Sequence, residues 1–228
     1  MKWNQLITVI GAGPVGCLLA ILLCRRGHAV HILEKRPDLR RTLQASHRSI
    51  NLALSHRGWR ALELVGLQEA LRPMALPMKG RMIHHQDGSR QFMPYGTEGQ
   101  AIYSLSRADL NKVLLSAAER SGAVLHFEKE IEQVDLSRQE LVGTWGKQPY
   151  EVLFGADGAF SVLRRAYVQL PHFRQKEETM EHAYLELNME ARAGDFPLDP
   201  GALHIWPRHR FMLIALPNAD CSFTCTLF

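Results

Sequence analysis

The chain has 228 residues, of which 46% are hydrophobic and 22% charged, a composition typical of a folded globular protein and not of a disordered one. Its 17 Gly and 11 Pro exclude a collagen-like or low-complexity chain, and no apolar run approaches the roughly 20 residues of a membrane-spanning helix. The net charge of +4 is uneven, because nine Lys and Arg lie between Arg25 and Arg60 against Glu34 and Asp38. Such a stretch favours an anionic ligand, either nucleic acid or a phosphorylated cofactor.

The first residues and the cysteines indicate the compartment. Residues 1–5 lead directly into a strand pattern, which predicts neither a signal nor a transit peptide. Cys17, Cys24, Cys221 and Cys225 show neither a disulfide framework nor metal-ligand spacing, so we expect no metal site. We therefore expect a bacterial-type cytoplasmic protein in a reducing compartment.

The first predicted elements form one βαβ unit. Residues 6–10 are a short apolar run typical of a buried parallel strand, a glycine-rich turn and a helix follow, and residues 29–34 form a second strand. In the turn, Gly11 permits a tight bend, Gly13 lets the backbone approach a pyrophosphate, and Gly16 allows the helix to pack closely on the strand. Glu34 ends the second strand, where a carboxylate can accept hydrogen bonds from a ribose. The unit predicts a dinucleotide site at the helix N-terminus.

The middle of the chain alternates between predicted strands and helices. A strand over 49–54 precedes a helix over 55–66, and strands over 80–85 and 91–95 flank the turn at Asp87-Gly88-Ser89. A strand over 102–105 leads to a helix over about 107–121 with Ser106 as its N-cap. Further strands are predicted at 123–127, 131–136, 141–145 and 150–154, and a helix at 161–167. The last of these strands ends at a second glycine motif, Gly155-Ala156-Asp157-Gly158, which places Asp157 at a strand end where ligands bind.

The last fifty residues change character and predict a mostly antiparallel sheet, with strands over 182–190, 202–206, 211–216 and 222–228. The fold class is therefore α/β, with a Rossmann-like, parallel-sheet domain and a β-sheet substrate domain. Four segments are expected: the Rossmann segment over 1–75, a substrate-side strand pair over 76–100, a return to the first domain over 101–170, and the β-sheet domain over 171–228. Since the chain stops inside an apolar strand pattern, either that strand is buried between neighbours or the chain is the first part of a longer, truncated protein.

Both glycine motifs, together with residues 48–58, 80–84, 94–97, 104–112 and 204–208, carry a resemblance to a known family. The sequence resembles the single-component FAD-dependent aromatic hydroxylases, most specifically the branch that acts on kynurenine. The resemblance runs along the whole chain but covers only about the first half of the family's length. It implies a missing C-terminal half, which leaves catalysis by this chain alone an open alternative.

The resemblance implies a set of binding residues, carried over position by position. The residues that would bind FAD are Gly11, Gly13, Val15, Gly16, Leu33, Glu34, Lys35, Arg36, Ala53, Arg107, Ile131, Asp157 and Val162. Of these, Arg107 at the start of a helix can hold phosphate oxygens bidentately. Arg81 and Tyr95 would bind the carboxylate of an amino acid substrate. No catalytic protein residue is expected, because the flavin carries the chemistry.

The activity implied by the resemblance is hydroxylation of L-kynurenine to 3-hydroxykynurenine with NADPH and O₂, in tryptophan catabolism towards quinolinate and NAD. Two alternatives stay open, namely a non-catalytic FAD-binding fragment and a related hydroxylase of another aromatic acid. Nucleic acid is not an expected partner, because the basic residues lie within the nucleotide-binding unit and aromatic residues do not interleave with them. No transmembrane segment is expected in this chain.

Overall fold

The computed structural model describes residues 5–41, 51–97 and 99–228. The helices, in chain order, are α1 (Pro14–Arg25), α2 (His56–Leu64), α3 (Gln68–Leu71), α4 (Arg107–Arg120) and α5 (Val162–Val168), with a 3₁₀ turn at Arg72–Met74. The first eight strands are β1 (Leu6–Ile10), β2 (Ala29–Leu33), β3 (Asn51–Leu54), β4 (Leu76–Met78), β5 (Gly80–His84), β6 (Arg90–Pro94), β7 (Ile102–Ser106) and β8 (Val124–His126). The other strands are β9 (Gln133–Asp135), β10 (Glu140–Gly143), β11 (Gly146–Pro149), β12 (Val152–Gly155), β13 (Leu185–Met189), β14 (Ala202–Arg208), β15 (Phe211–Pro217) and β16 (Phe223–Leu227).

These elements group into two compact units. Unit 1 contains the described residues of 1–43 and 111–178, and unit 2 contains those of 44–110 and 179–228. The predicted α/β class is confirmed, whereas the four predicted domain segments stay a prediction. The first two residues of the strand predicted over 49–54 lie outside the described residues.

Unit 1 is built on a parallel sheet with the strand order β12-β1-β2-β8. Its central strands are apolar and β-branched, and Val9 and Ile32 are fully buried, as expected for strands covered on both faces. Helix α1 packs Cys17, Ala20 and Ile21 into the core. A small antiparallel sheet of β9, β10 and β11 lies beside α5. The predicted parallel βαβ unit is therefore present.

Unit 2 contains a six-stranded sheet with the order β13-β16-β15-β14-β5-β6. Its strand pairs are antiparallel except for β14 and β5, which run parallel. The predicted mostly antiparallel sheet is therefore present. It also includes the strand pair around Asp87-Gly88. Ala215, Phe223 and Cys225 form its buried cluster. A second sheet pairs β7 with β3 and with β4, both antiparallel.

Among the described residues, none of the helices has the length and apolar character required to cross a membrane. The predicted cytoplasmic location stays a prediction.

Candidate functional site

The glycine-rich turn of unit 1 joins the ends of three parallel strands. The N–H of Gly11 donates to the carbonyl of Leu33 at 2.8 Å, and the N–H of Ala156 donates to the carbonyl of Ile10 at 2.8 Å. Gly11 has a φ of +98°, and a Cβ there would lie 2.5 Å from the Ala156 carbonyl oxygen. A Cβ at Gly16 would lie 2.0 Å from the Gly11 carbonyl oxygen. Both positions therefore require glycine for reasons within the fold.

Gly13 differs from its two neighbours in the motif, because a Cβ at this position would meet nothing within 4 Å. It is the N-cap of α1, makes no side-chain cap, and precedes Pro14 at the first helical position. The backbone N–H groups of Val15 and Gly16 in this first turn have no acceptor within the helix. The open space over Gly13 and these donors fit an anionic group such as a pyrophosphate.

Glu34 is tied to this turn. One of its carboxylate oxygens accepts from the Ala12 N–H at 2.8 Å, and the other accepts from the backbone N–H and Nε of Arg36 at 3.0 and 2.9 Å. Burial alone would raise the pKa of Glu34, but the hydrogen bonds from Arg36 and Ala12 hold it below its ordinary value. An ionised Glu34 with remaining acceptor capacity is suited to a ribose hydroxyl. Lys35 and Arg36 are exposed.

Asp157 has a structural partner that the sequence did not indicate. Its carboxylate accepts from the N–H of Val162 at 2.7 Å and, more weakly, from that of Leu163 at 3.4 Å, in the first turn of α5. The N-cap of this helix is Ser161, whose hydroxyl accepts from the Arg164 N–H at 3.0 Å. The side chains of Ile131 and Val162 are buried in an apolar cluster with Leu33. Contact of Ile131 or Val162 with a cofactor would therefore fall mainly to backbone atoms, and the Val162 N–H is already engaged.

A cavity of about 170 Å³ lies beside Glu34 in unit 1. The residues that line it include Ala12, Glu34, Arg36, Asn111, Leu115 and Phe127. Among the described residues, the buried side-chain oxygen of Asn111 has no hydrogen-bond partner. Asn111 was not predicted from the sequence, although its position four residues after Arg107 on one helix was a usable signal.

The other predicted cofactor residues, Ala53 and Arg107, belong to unit 2. Ala53 is exposed on β3 opposite Ser104, and Arg107 is an exposed residue at the start of α4. The Ser106 hydroxyl accepts from the Asp109 N–H at 3.3 Å, as expected for the N-cap of this helix. The cofactor roles of both residues stay predictions.

Arg81 and Tyr95 are brought together in unit 2. Arg81 lies on β5 and Tyr95 directly follows β6, and the guanidinium carbon lies 5.2 Å from the centroid of the tyrosine ring. Within the described part of the chain, the buried Tyr95 hydroxyl has no hydrogen-bond partner of good geometry. Burial raises the pKa of Tyr95, and the nearby guanidinium opposes this only in part, so the phenol stays protonated near neutral pH. The Arg81 guanidinium and the protonated Tyr95 hydroxyl therefore lie side by side.

Apolar side chains share the sheet face of Arg81. In register, Leu203 of β14 lies opposite Arg81, Ile205 opposite Ile83, and Ile214 of β15 opposite Ile205. All four apolar residues are half-buried. Laterally paired residues point to the same face, so this face offers an apolar surface next to Arg81 and Tyr95. The sequence did not identify Leu203, Ile205 or Ile214, because the pairing of β5 with β14 joins residues about 120 positions apart.

Buried imidazoles lie elsewhere in the same sheet. His84 Nε2 and His204 Nδ1 are 2.8 Å apart, and His204 Nε2 is 2.8 Å from the Asp199 carbonyl oxygen. Because that carbonyl only accepts, His204 Nε2 carries the proton and His84 donates to His204. Within the described ranges, no three or more His, Cys, Asp or Glu side chains are grouped as they would be to hold a metal ion.

Comparison with known proteins identifies the family of the chain. A family model described as an FAD binding domain matches residues 5–215. Proteins named kynurenine 3-monooxygenase from Flavobacterium johnsoniae and Sus scrofa are 46% and 43% identical, over 100% and 97% of this chain but 52% and 48% of their own lengths. The chain thus spans about half the length of the curated relatives it matches.

Two solved structures share the fold. A 2-methyl-3-hydroxypyridine-5-carboxylic acid oxygenase, mutant C294A, is 18% identical with a TM-score of 0.78, over 98% of this chain and 58% of that chain. PqsL of P. aeruginosa, in complex with 2-aminobenzoylacetate, is 20% identical with a TM-score of 0.74, over 98% of this chain and 60% of that chain. At this identity the likeness concerns the fold alone.

Proposed function

Because this chain belongs to the FAD binding domain family, we propose that it binds FAD through unit 1 and contributes a kynurenine-binding sheet through unit 2. The reaction would be that of a flavoprotein monooxygenase, in which L-kynurenine, NADPH, a proton and O₂ give 3-hydroxykynurenine, NADP⁺ and water. The names of the relatives support the substrate, and the pairing of Arg81 with Tyr95 is the observation that carries it.

The FAD site would use mostly backbone groups. The free N–H groups at the start of α1 face the open space over Gly13 and would receive the pyrophosphate, and Glu34 would accept from the adenosine ribose. The open approach at Gly13 and the unpartnered oxygen of Asn111 in the adjoining cavity fit an adenosine-containing ligand. When bound, FAD supplies the redox chemistry, with NADPH as reductant and O₂ as the source of the transferred oxygen atom.

The residues of unit 2 would bind and orient the substrate. The Arg81 guanidinium pairs with the substrate carboxylate, and the protonated Tyr95 hydroxyl donates a second hydrogen bond to it. Leu203, Ile205 and Ile214 present an apolar surface against which the aromatic ring can lie while water is excluded. Orientation of the ring is the protein's main contribution in this scheme, since no protein nucleophile is needed.

Loading the chain with FAD and adding L-kynurenine tests the proposal. We expect bound flavin and a change in its absorbance spectrum when kynurenine binds. Addition of NADPH and oxygen, with chromatography of the products, separates the alternatives. If the chain binds FAD and forms 3-hydroxykynurenine, the result supports the proposed monooxygenase activity. If it binds FAD and kynurenine but forms no product, the chain is a non-catalytic part of such an enzyme. A spectral response to another aromatic acid and none to kynurenine would contradict the proposed substrate.

A further inference from the structure

The cavity beside Glu34 holds a polar atom that the fold itself does not satisfy. The side-chain oxygen of Asn111 is buried, and no donor within hydrogen-bond distance is found among the described residues. Buried acceptors are almost always paired, and an unpaired one is unfavourable for the folded state. Asn111 lies on the cavity wall together with Leu115, one turn further along α4. A donor bound in the cavity beside Asn111 would supply the partner that this oxygen lacks.

The cavity is suited to one part of a dinucleotide. Its volume of about 170 Å³ is below the roughly 300–1,000 Å³ of sites that enclose a whole drug-sized ligand. Apolar groups of Leu39, Leu115 and Phe127 form much of its lining, whereas Glu34 and Ala12 lie at the side of the glycine-rich turn. A flat aromatic base with one hydrogen-bond donor matches the apolar part of these walls, and Arg36 also lines the cavity.

The walls are held in place by a charged network. Arg40 donates to Asp38 at 2.8 Å and to Glu119 of α4 at 2.7 Å, and its guanidinium carbon lies 5.9 Å from the centroid of Phe127. The network thus links the loop after β2 to the helix that carries Asn111. Preorganised walls of this kind favour discrimination between closely related ligands.

We propose that the carboxamide of Asn111 recognises the adenine amino group of FAD. The inference rests on the proposal that the chain binds FAD. The Asn111 oxygen accepts from the exocyclic amine, and the amide nitrogen can donate to a neighbouring ring nitrogen, the pairing by which Asn recognises adenine in nucleic acids. Asn111 then determines the specificity of cofactor binding and takes no part in the chemistry.

Titration of the chain with FAD, and with a dinucleotide in which purine replaces adenine, tests the pairing. We expect the loss of the amino group to weaken binding about fivefold to tenfold in the unmodified chain. In Asn111→Leu, FAD should bind more weakly by a similar factor, and the two dinucleotides should bind equally. Asn111→Asp keeps an acceptor and should still prefer FAD. Asn188→Leu, the same change at an exposed position of unit 2, is the matched control and should behave like the unmodified chain.

Thermal unfolding without ligand distinguishes ligand recognition from a structural role. Since the Asn111 oxygen lacks a partner in the fold, Asn111→Leu should unfold at the same or a higher temperature than the unmodified chain. A lower unfolding temperature, or an unchanged preference for FAD over the purine dinucleotide in Asn111→Leu, would overturn the inference. If the unmodified chain binds no FAD, the proposed function itself fails.

Discussion

The two units build their binding residues in opposite ways. In unit 1 the candidate cofactor site consists of backbone N–H groups, glycines and one carboxylate, within a single βαβ segment and the corner at Asp157. In unit 2 the candidate substrate site consists of side chains on the hairpin of β5 and β6 and on β14, which pairs with β5 across about 120 residues. The first arrangement is sensitive to added atoms at the turn. The second is sensitive to lost side-chain groups and to the pairing of its strands.

The largest effect is expected at the glycine-rich turn. In Gly16→Ala the new Cβ would overlap the Gly11 carbonyl oxygen. We therefore expect the free energy of unfolding to fall by roughly 3 kcal/mol or more. Gly13→Ala is the matched change, because its Cβ meets nothing within 4 Å. It should alter stability by less than about 1 kcal/mol and still weaken FAD binding about tenfold or more, since it fills the approach to the pyrophosphate. Urea unfolding and FAD titration measure the two effects. Equal free energies of unfolding for Gly16→Ala and Gly13→Ala would contradict the inference that Gly16 is tightly packed and Gly13 is not.

Acid should destabilise the units in different pH ranges. Burial, with His204, Arg90 and Arg208 nearby, lowers the pKa of His84 to about 4, whereas an unfolded His titrates near pH 6.5. The unfolded state therefore binds more protons between those values, so stability falls from about pH 6.5 to 4, by up to roughly 3 kcal/mol. The low pKa of Glu34 acts only below about pH 4.5, where protonation removes its bonds to Ala12 and Arg36.

Unfolding by urea at a series of pH values tests this difference. His84→Gln keeps a donor for His204 without a titrating ring, so it should flatten the decline between pH 6.5 and 4. Glu34→Gln should leave that range unchanged and reduce the decline below it. An unaltered profile in His84→Gln would contradict the assignment of the decline to His84 and would leave His204, whose pKa is also lowered mainly by burial, as the group responsible.

Smaller effects are expected at the substrate pair. Arg81→Ala removes a charge-assisted contact and should weaken kynurenine binding by about 1.5–3 kcal/mol, whereas Tyr95→Phe removes one neutral hydrogen bond and should weaken it by about 0.5–1.5 kcal/mol. Neither change should alter FAD affinity. Calorimetric titration of the FAD-loaded variants measures both. A greater loss in Tyr95→Phe than in Arg81→Ala would contradict the assignment of the carboxylate to the guanidinium.

The two units also differ in how far the sequence predicts them. The order of apolar run, glycine turn, helix and terminal Glu34 is local, so the parallel unit and its turn follow from neighbouring residues. The unpartnered Asn111 and the Leu203 face depend on tertiary contacts that periodicity does not encode. The hydrogen bonds of Asp157 to α5 are local, but periodicity does not mark them either. Strand β11 was missed because Gly146-Lys147-Gln148-Pro149 is polar and lacks strand-forming residues, and only pairing with β10 defines it.

Equilibrium dialysis of the folded chain against FAD and, separately, against NAD tests the central claim most directly. With an open approach at Gly13, unengaged N–H groups at the start of α1 and the Asp157 corner, we expect stoichiometric retention of FAD and no comparable retention of NAD. Gly13→Ala should retain less flavin while remaining folded. Tight binding of NAD with no uptake of FAD by the folded chain would contradict the account.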